Sequence, residues 1–91
     1  MRIIWTKHAE ERQSEWEKTL GLTKAEVENV LSSPQQVVRG DLDDFVAQSK
    51  NRSGLLRVPF RQIDNDRKVI TVYWTSKVEK YWKEEDDESK I

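Results

Sequence analysis

The chain has 91 residues, which is enough for one small domain and too few for a second hydrophobic core. It has no cysteine and one histidine, so a disulfide framework and a cysteine-based or multi-histidine metal site are not expected. The 16 Lys and Arg residues nearly balance the 17 Asp and Glu residues, and no stretch approaches the ~20 apolar residues of a membrane span. The expected protein is therefore cytoplasmic, with no metal, no other cofactor and no membrane partner.

The first part of the chain predicts a strand followed by two helices. Residues 2–5 are rich in β-forming side chains, and Thr6 is suited to cap a helix over residues 7–18. The second helix has the clearest signal, because Thr23 and Glu26 have the spacing of a capping box. In such a box the hydroxyl and the carboxylate each accept a hydrogen bond from a backbone amide that the helix leaves unpaired.

After Pro34 the apolar period changes to two, which predicts four strands. These strands are expected over residues 36–39, 44–50, 55–63 and 69–75. The links between them are expected to be turns at residues 40–43, 51–54 and around 64–66, and links this short favour an antiparallel meander. Pro59 has no N–H to donate, so a bulge or an unpaired edge is expected at that point of the third of these strands.

The predicted order of elements is β-α-α-β-β-β-β-α, which indicates an α+β fold. The helix pair and a C-terminal helix over residues 77–84 are expected to pack on a twisted antiparallel sheet. Residues 1–83 should form one compact domain. Residues 84–91 hold five acids and one base, which predicts a flexible acidic tail.

Alternation along the last two predicted strands separates a core face from an opposite face. Arg57, Arg61 and Tyr73 share the opposite face. Arginines beside a tyrosine suit phosphate binding and base stacking, while the alternative is a solvated face with cross-strand Arg–Tyr stacking. The expected core consists of Trp16, Val27, Val30, Leu31, Leu56, Val58, Ile70, Val72 and Trp74.

Further candidate residues lie on the first and last predicted helices. His8 and Arg12 are one turn apart at the border of the first helix's apolar stripe, where a histidine could accept a proton and an arginine could hold a phosphate. The alternative is a locally hydrogen-bonded His8 and an Arg12 paired with a nearby glutamate. Lys77, Lys80 and Tyr81 either extend a basic surface or belong to a helix that is simply docked on the sheet.

Two stretches of the chain look like the signatures of a known family. Ile4–Arg12 contains a strand followed by T-K-H-A-x-x-R, and Leu56–Val58 and Ile70–Lys77 are followed by K-Y-W at Lys80–Trp82. Over residues 2–82 the chain resembles a family of small bacterial domains that is similar to the RelE, ParE and BrnT-type toxins of toxin–antitoxin pairs. The resemblance implies a RelE-like fold, an RNA target and a small antitoxin-like protein as a partner.

The resemblance also implies roles in a metal-independent endoribonuclease that uses the 2′-hydroxyl of its RNA. His8 would accept the hydroxyl proton, and Arg12 and Arg57 would stabilise the phosphorane. Tyr73 or Lys77 would donate a proton to the leaving oxygen. The remaining RNA contacts are expected from Arg61, Lys77, Lys80 and Tyr81.

Two functions of different classes remain open at this point. One is a toxin-like domain that cleaves or binds RNA, and the other is a non-catalytic protein-interaction module that uses the sheet or its edge. The catalytic interpretation requires the His8 ring and the Arg57 guanidinium to lie within roughly 10 Å of each other, so that both can flank one phosphate. If the two residues lie on opposite faces of the sheet, the catalytic interpretation fails and the protein-interaction module becomes the preferred function.

Overall fold

The computed structural model describes residues 1–84, in which six strands and three helices form an α+β fold with a mixed sheet. The elements are β1 (Ile3–Trp5), α1 (Lys7–Leu20), α2 (Lys24–Ser32), β2 (Gln36–Arg39), β3 (Phe45–Asn51), β4 (Gly54–Ile63), β5 (Asp66–Val69), β6 (Tyr73–Thr75) and α3 (Val78–Tyr81). The α+β class is thereby confirmed. The predicted acidic tail, apart from its first residue, lies outside the described residues.

Both long helices begin at the predicted threonine caps. The Thr6 hydroxyl accepts a hydrogen bond from the amide of Ala9 at 3.1 Å, and the Thr23 hydroxyl accepts one from the amide of Glu26 at 3.1 Å. These bonds satisfy amides that a helix leaves without an internal partner. α1 ends at Gly21, whose φ of 71° is the left-handed conformation that glycine adopts most easily.

The sheet has the strand order β1-β5-β4-β3-β2, and β6 pairs with β4. β2 to β5 form the predicted antiparallel meander. The expectation of a wholly antiparallel sheet is wrong for β1, which pairs parallel with β5. The short-link argument does not apply to β1, because two helices and three strands separate it from its neighbour, and so long a connection permits either direction.

The last predicted strand is two strands, because the pairing with β4 shifts by one residue. Phe60 pairs with Val69, whereas Arg57 pairs with Tyr73. Residues 58–59 of β4 therefore lie opposite residues 70–72, and this pairing of two residues with three is a β-bulge. Pro59 lies at this point, as the missing N–H predicted, and its carbonyl accepts a hydrogen bond from the first bulge residue at 2.9 Å.

The bulge changes which side chains enter the core. Val69 and Val72 are 0% and 1% exposed and both belong to the core cluster, although strict alternation would place them on opposite faces. Ile70 was expected in the core and this prediction is wrong, since its side chain lines a cleft on the other face. The extra residue of the bulge rotates the chain between Val69 and Val72.

The core lies between the helix pair and the adjacent face of the sheet. It consists of Ala9, Leu22, Val27, Val30, Leu31, Ala47, Leu56, Val58, Phe60, Val69 and Val72. Six of the predicted core residues are in this cluster, and Trp16 packs against it from a half-buried position. Trp74 does not join the cluster, and its ring lies over Gly54 with its indole N–H donating to the carbonyl of Asn51 at 2.9 Å.

The C-terminal segment packs on the opposite face of the sheet. The side-chain amide of Gln48 donates to the carbonyl of Tyr81 at 3.2 Å, and the amide of Lys83 donates to Gln36 Oε1 at 3.1 Å. α3 is shorter than predicted, because only four residues are helical and the next residue is extended. The described sheet is therefore covered on one face by α1 and α2 and on the other by α3.

Candidate functional site

A row of polar side chains crosses the sheet on the face that carries α3. Gln36 pairs with Gln48, Gln48 pairs with Arg57, and Arg57 pairs with Tyr73. These residues belong to β2, β3, β4 and β6 in turn. Because directly opposed residues of antiparallel strands project to the same face, the four side chains lie next to one another. We call these four residues the polar row.

Hydrogen bonds connect each member of the polar row to the next. Gln48 Nε2 donates to Gln36 Oε1 at 2.8 Å, and Arg57 Nε donates to Gln48 Oε1 at 2.9 Å. Arg57 Nη1 donates to the hydroxyl of Tyr73, and Gln36 Nε2 donates to the carbonyl of Lys83. Three members of the row are almost completely enclosed, since Gln48 is 0% exposed and both Gln36 and Arg57 are 8% exposed, while Tyr73 is half-buried.

Arg57 is a buried cation with no carboxylate partner among residues 1–84. None of the ion pairs in this part of the chain includes it. Its neighbours are the neutral groups of Gln48 and Tyr73 and the ring of Tyr81, whose centroid is 4.1 Å from the guanidinium carbon. Buried charges in proteins are normally paired, so an arginine in this environment indicates a place for an anion.

Arg57 lines a cleft of about 440 Å³ between α3, the β2–β3 turn and the bulge. Every fully buried side-chain nitrogen or oxygen in residues 1–84 has a hydrogen-bond partner, and Arg57 Nη2 has none there, so Nη2 is accessible. Arg57 therefore lines the cleft with Nη2 free to donate, while Nε and Nη1 are engaged by Gln48 and Tyr73. The cleft is lined by Arg39, Gly40, Asp41, Asp44, Val46, Arg57, Pro59, Ile70, Thr71, Tyr73 and Tyr81.

Two tyrosines form an aromatic corner beside Arg57. The rings of Tyr73 and Tyr81 meet edge to face, with centroids 6.4 Å apart and an interplanar angle of 73°. Burial raises the pKa of Tyr73 above its ordinary value of 10, although the neighbouring Arg57 acts in the opposite direction. Tyr73 is therefore protonated at neutral pH, where its hydroxyl accepts a bond from Arg57 and keeps its own proton to donate.

The structure does not bring His8 and Arg12 to this cleft. Both belong to α1, whose Ala9 is in the core on the helix-covered face of the sheet. Arg57 projects from β4 to the other face, so His8 and Arg57 lie on opposite faces and the condition for joint catalysis is not met. Arg12 is half-exposed and pairs with Glu15 at 3.0 Å, which is the structural alternative considered for it.

The predicted RNA-binding residues are placed unevenly around the cleft. Tyr81 is inside it. Arg61 is exposed at the rim and pairs with Asp44 at 2.8 Å, a contact that also raises the pKa of Arg61. Lys77 and Lys80 are exposed on the C-terminal segment, and the Lys80 ammonium lies 5.3 Å from the centroid of the Tyr81 ring. The structure thus brings together Arg57, Tyr73 and Tyr81.

The sequence-based prediction missed Gln36 and Gln48. The signal was present, because the turn predicted at residues 51–54 sets the register of the β3–β4 hairpin. In that register Asn51 pairs with Gly54 and Gln48 necessarily pairs with Arg57. Two glutamines in adjacent strands, on the face of an arginine, would then have indicated a buried polar row.

No family model, curated protein or solved structure matches this chain. No helix within residues 1–84 is long and apolar enough to cross a membrane. In the same part of the chain, no group of three or more His, Cys, Asp and Glu side chains is arranged to hold a metal ion. The functional evidence is therefore the geometry of the cleft around Arg57.

Proposed function

We propose that this protein is a non-catalytic binding module that holds single-stranded RNA, with one phosphate against Arg57. The observation that carries the proposal is the buried guanidinium, which has no carboxylate partner among residues 1–84 and turns one edge to a cleft. The RelE-like fold, the toxin-like class and an antitoxin-like partner stay part of the proposal on the strength of the sequence motifs alone.

Phosphate suits Arg57 for two physical reasons. A guanidinium offers parallel N–H groups that match two oxygens of a phosphate, and such charge-assisted bonds are about twice as strong as neutral ones. The surroundings of Arg57 have a low dielectric constant because the residue is only 8% exposed, which strengthens its attraction for an anion. The neighbouring groups are already oriented, so little rearrangement accompanies binding.

The tyrosines beside Arg57 suit an unpaired base. A ring such as that of Tyr81 can stack on any base, and this kind of contact contributes about 1–3 kcal/mol per base in single-strand binding. A base in a duplex is paired and stacked on both sides, and it must be unpaired and unstacked before it can enter a cleft. The cleft volume of about 440 Å³ is within the range of pockets that hold small ligands.

Cleavage is not part of the proposal, because His8, the residue predicted to accept the 2′-hydroxyl proton, does not line the cleft. His8 lies on the other side of the sheet. Tyr73 cannot replace it near neutral pH, since burial raises its pKa and keeps the hydroxyl protonated. Of the roles assigned for catalysis, the phosphate contact of Arg57 and proton donation by Tyr73 are the two that the cleft geometry can support.

A protein-interaction module was the function expected if His8 and Arg57 lay on opposite faces, and it is the second candidate here because the buried Arg57 beside the cleft favours an anion. The feature that supports it is the edge of β2. Among the described strands β2 pairs only with β3, so its outer side is an open sheet edge. Val37 on this strand is 44% exposed. An extended segment of a partner protein could add a strand there through main-chain hydrogen bonds. This function would not depend on Arg57.

The two candidates are separated by the affinity for a fluorescently labelled, mixed-sequence single-stranded RNA, measured by anisotropy at low salt. Arg57→Met should weaken binding about tenfold or more, because it removes a charge-assisted contact of about 1.5–3 kcal/mol. Arg12→Met is the matched control, since it removes the same charge from the opposite side of the molecule. It should bind within about twofold of the wild type, because an exposed arginine far from the cleft makes little direct contribution.

Equal binding by the wild type and Arg57→Met would contradict the RNA-binding proposal. An equal loss in both variants would show non-specific attraction rather than a site. Gel analysis of the same RNA should show an intact strand. Cleavage by the wild type that disappears in Arg57→Met would overturn the non-catalytic assignment, whereas equal cleavage by both proteins would indicate a contaminating nuclease.

A further inference from the structure

We infer that Gln48 is a positioning residue for the anion site, because its neutral amide holds the Arg57 guanidinium in place without neutralising its charge. The inference rests on the proposed function, in which Arg57 holds a phosphate. It goes further by assigning a specific role to a residue that never reaches the ligand, since Gln48 is 0% exposed and does not line the cleft.

The orientation of the Gln48 amide is determined by three hydrogen bonds. Its Nε2 donates to Gln36 Oε1 at 2.8 Å and to the carbonyl of Tyr81 at 3.2 Å, which uses both amide hydrogens. The amide oxygen must therefore point in the other direction, where it accepts the Nε hydrogen of Arg57 at 2.9 Å. With Nε held by Gln48 and Nη1 held by Tyr73, Nη2 remains free to donate toward the cleft.

Whether residue 48 is a neutral amide or a carboxylate decides whether Arg57 can bind an external anion. The position directly opposite an arginine in an antiparallel pair is one where a carboxylate would form a stabilising pair. A glutamate has the same length as Gln48, and in this enclosed place it would form a charge-assisted bond and compete with any external anion. The amide provides an acceptor and adds no charge, so the positive charge of Arg57 remains available to a ligand.

A purely structural role for Gln48 is the competing explanation, because its bond to Tyr81 also holds the C-terminal segment on the sheet. Gln36 allows the two roles to be separated. It is in the same row, it is similarly buried at 8% exposure, and it also binds the C-terminal segment, through Lys83. Gln36 makes no hydrogen bond to Arg57, and a glutamate in its place keeps an oxygen that can accept from Gln48 Nε2, so Gln36→Glu is a matched control for Gln48→Glu.

The test compares RNA binding by the wild type, Gln48→Glu, Gln36→Glu and Arg57→Met over a series of salt concentrations. All measurements are made below the melting temperature of each variant, as determined by circular dichroism. Gln48→Glu should bind RNA about tenfold or more weakly than the wild type at low salt. The slope of log affinity against log salt should also fall by about 0.7, the contribution of one phosphate contact with a single strand. Gln36→Glu should keep the wild-type slope.

Each result supports or overturns a specific statement. Wild-type binding and slope in Gln48→Glu, together with a loss in Arg57→Met, would overturn the role of Gln48 and leave the RNA-binding proposal intact. An equal fall in the salt slope of Gln36→Glu would also overturn the role of Gln48, since the change would then follow from any disturbance of the polar row. No loss in Arg57→Met would instead overturn the proposed function itself.

A second variant covers the case in which the new carboxylate prevents folding. Gln48→Met removes the acceptor of Arg57 Nε without adding a charge. It should weaken RNA binding about threefold or more, because the guanidinium is no longer held, and it should leave the salt slope unchanged, because the charge remains. Binding equal to that of the wild type would overturn the positioning role.

Discussion

The neighbours of each arginine, rather than its position in a basic stretch, decide what it does in this protein. Arg12 is exposed and pairs with Glu15, and Arg52 pairs with Glu26 at 2.6 Å. Arg57 is buried among neutral groups. A guanidinium that is already paired has little to offer an anion, which is why Arg57 is the one that we assign to phosphate.

Tyr73 gives a direct test of how enclosed this site is. In a Tyr81→Phe variant it is the only remaining tyrosine, so tyrosinate absorbance during an alkaline titration reports on it alone. Burial favours the neutral phenol, and the titration midpoint should therefore lie above 10, the ordinary pKa. The contribution of the neutral phenol to the free energy of unfolding is fully present below pH 10, the ordinary pKa, and is lost as the pH rises through the raised pKa of the folded protein. A midpoint at or below 10 in the folded variant would contradict the buried position of Tyr73.

The β3–β4 hairpin is the element that assembles the site. Its turn consists of Arg52 and Ser53, whose φ angles of 51° and 62° are both in the left-handed region. Two such residues in succession are typical of the tight turns that match the twist of paired strands. This turn sets the register in which Gln48 faces Arg57. The bulge opposite Pro59 then lets β6 bring Tyr73 to the other side of Arg57.

Gly54 is required for β6 to lie against this hairpin. A Cβ atom at residue 54 would be 2.3 Å from the Trp74 ring and 2.5 Å from the Thr75 carbonyl oxygen, so the backbone of β6 would have to move. Gly54→Ala should therefore lower the free energy of unfolding by about 1–3 kcal/mol, as overpacking usually does. Gly40→Ala is the control, since a Cβ atom there would be 3.3 Å from its nearest neighbours, and the free energy of unfolding should fall by less. Urea unfolding of both variants checks this, and a neutral Gly54→Ala would refute the close packing.

Basic and acidic residues are distributed unevenly along the sequence, and folding brings some of them together as ion pairs. Residues 50–83 carry nine bases and three acids, while residues 1–49 carry six bases and nine acids. The pairs Arg52–Glu26 and Arg61–Asp44 connect these two segments. Internal pairing therefore accounts for part of the asymmetry that the sequence shows. Arg57 contributes to the same basic segment and has no carboxylate partner among residues 1–84.

The acidic end of the chain should weaken binding of any polyanion. Residues 85–91 contain four acids and one base, a net charge of −3, so their removal makes the protein more positive. A protein shortened by these residues should bind RNA more tightly at about 50 mM salt, and the difference should shrink at about 200 mM because salt screens the repulsion. Replacing the four acids by their amides should reproduce the gain at unchanged length. Affinities that match the wild type at both salt concentrations would exclude this effect.

Features that depend on a few neighbouring residues were predictable from the sequence. The caps at Thr6 and Thr23, the turn at residues 51–54 and the bulge at Pro59 all follow from local hydrogen-bonding capacity and backbone geometry. Alternation along the strands also placed Arg57 and Tyr73 on one face, because adjacent antiparallel strands share that periodicity. These predictions required no knowledge of distant parts of the chain.

The remaining features depend on contacts between residues far apart in the chain. The parallel direction of β1 and the side of the sheet that α1 covers depend on burial of apolar surface across the whole domain. The packing of α3 over the polar row depends on the hydrogen bonds that Gln48 and Gln36 make with the C-terminal segment. Spacing within α1 could place His8 beside Arg12, but it carries no information about which face of the sheet the helix occupies. For this reason the sequence could select Arg57 as a candidate, while the separation of His8 from it emerged only from the packing of the complete domain.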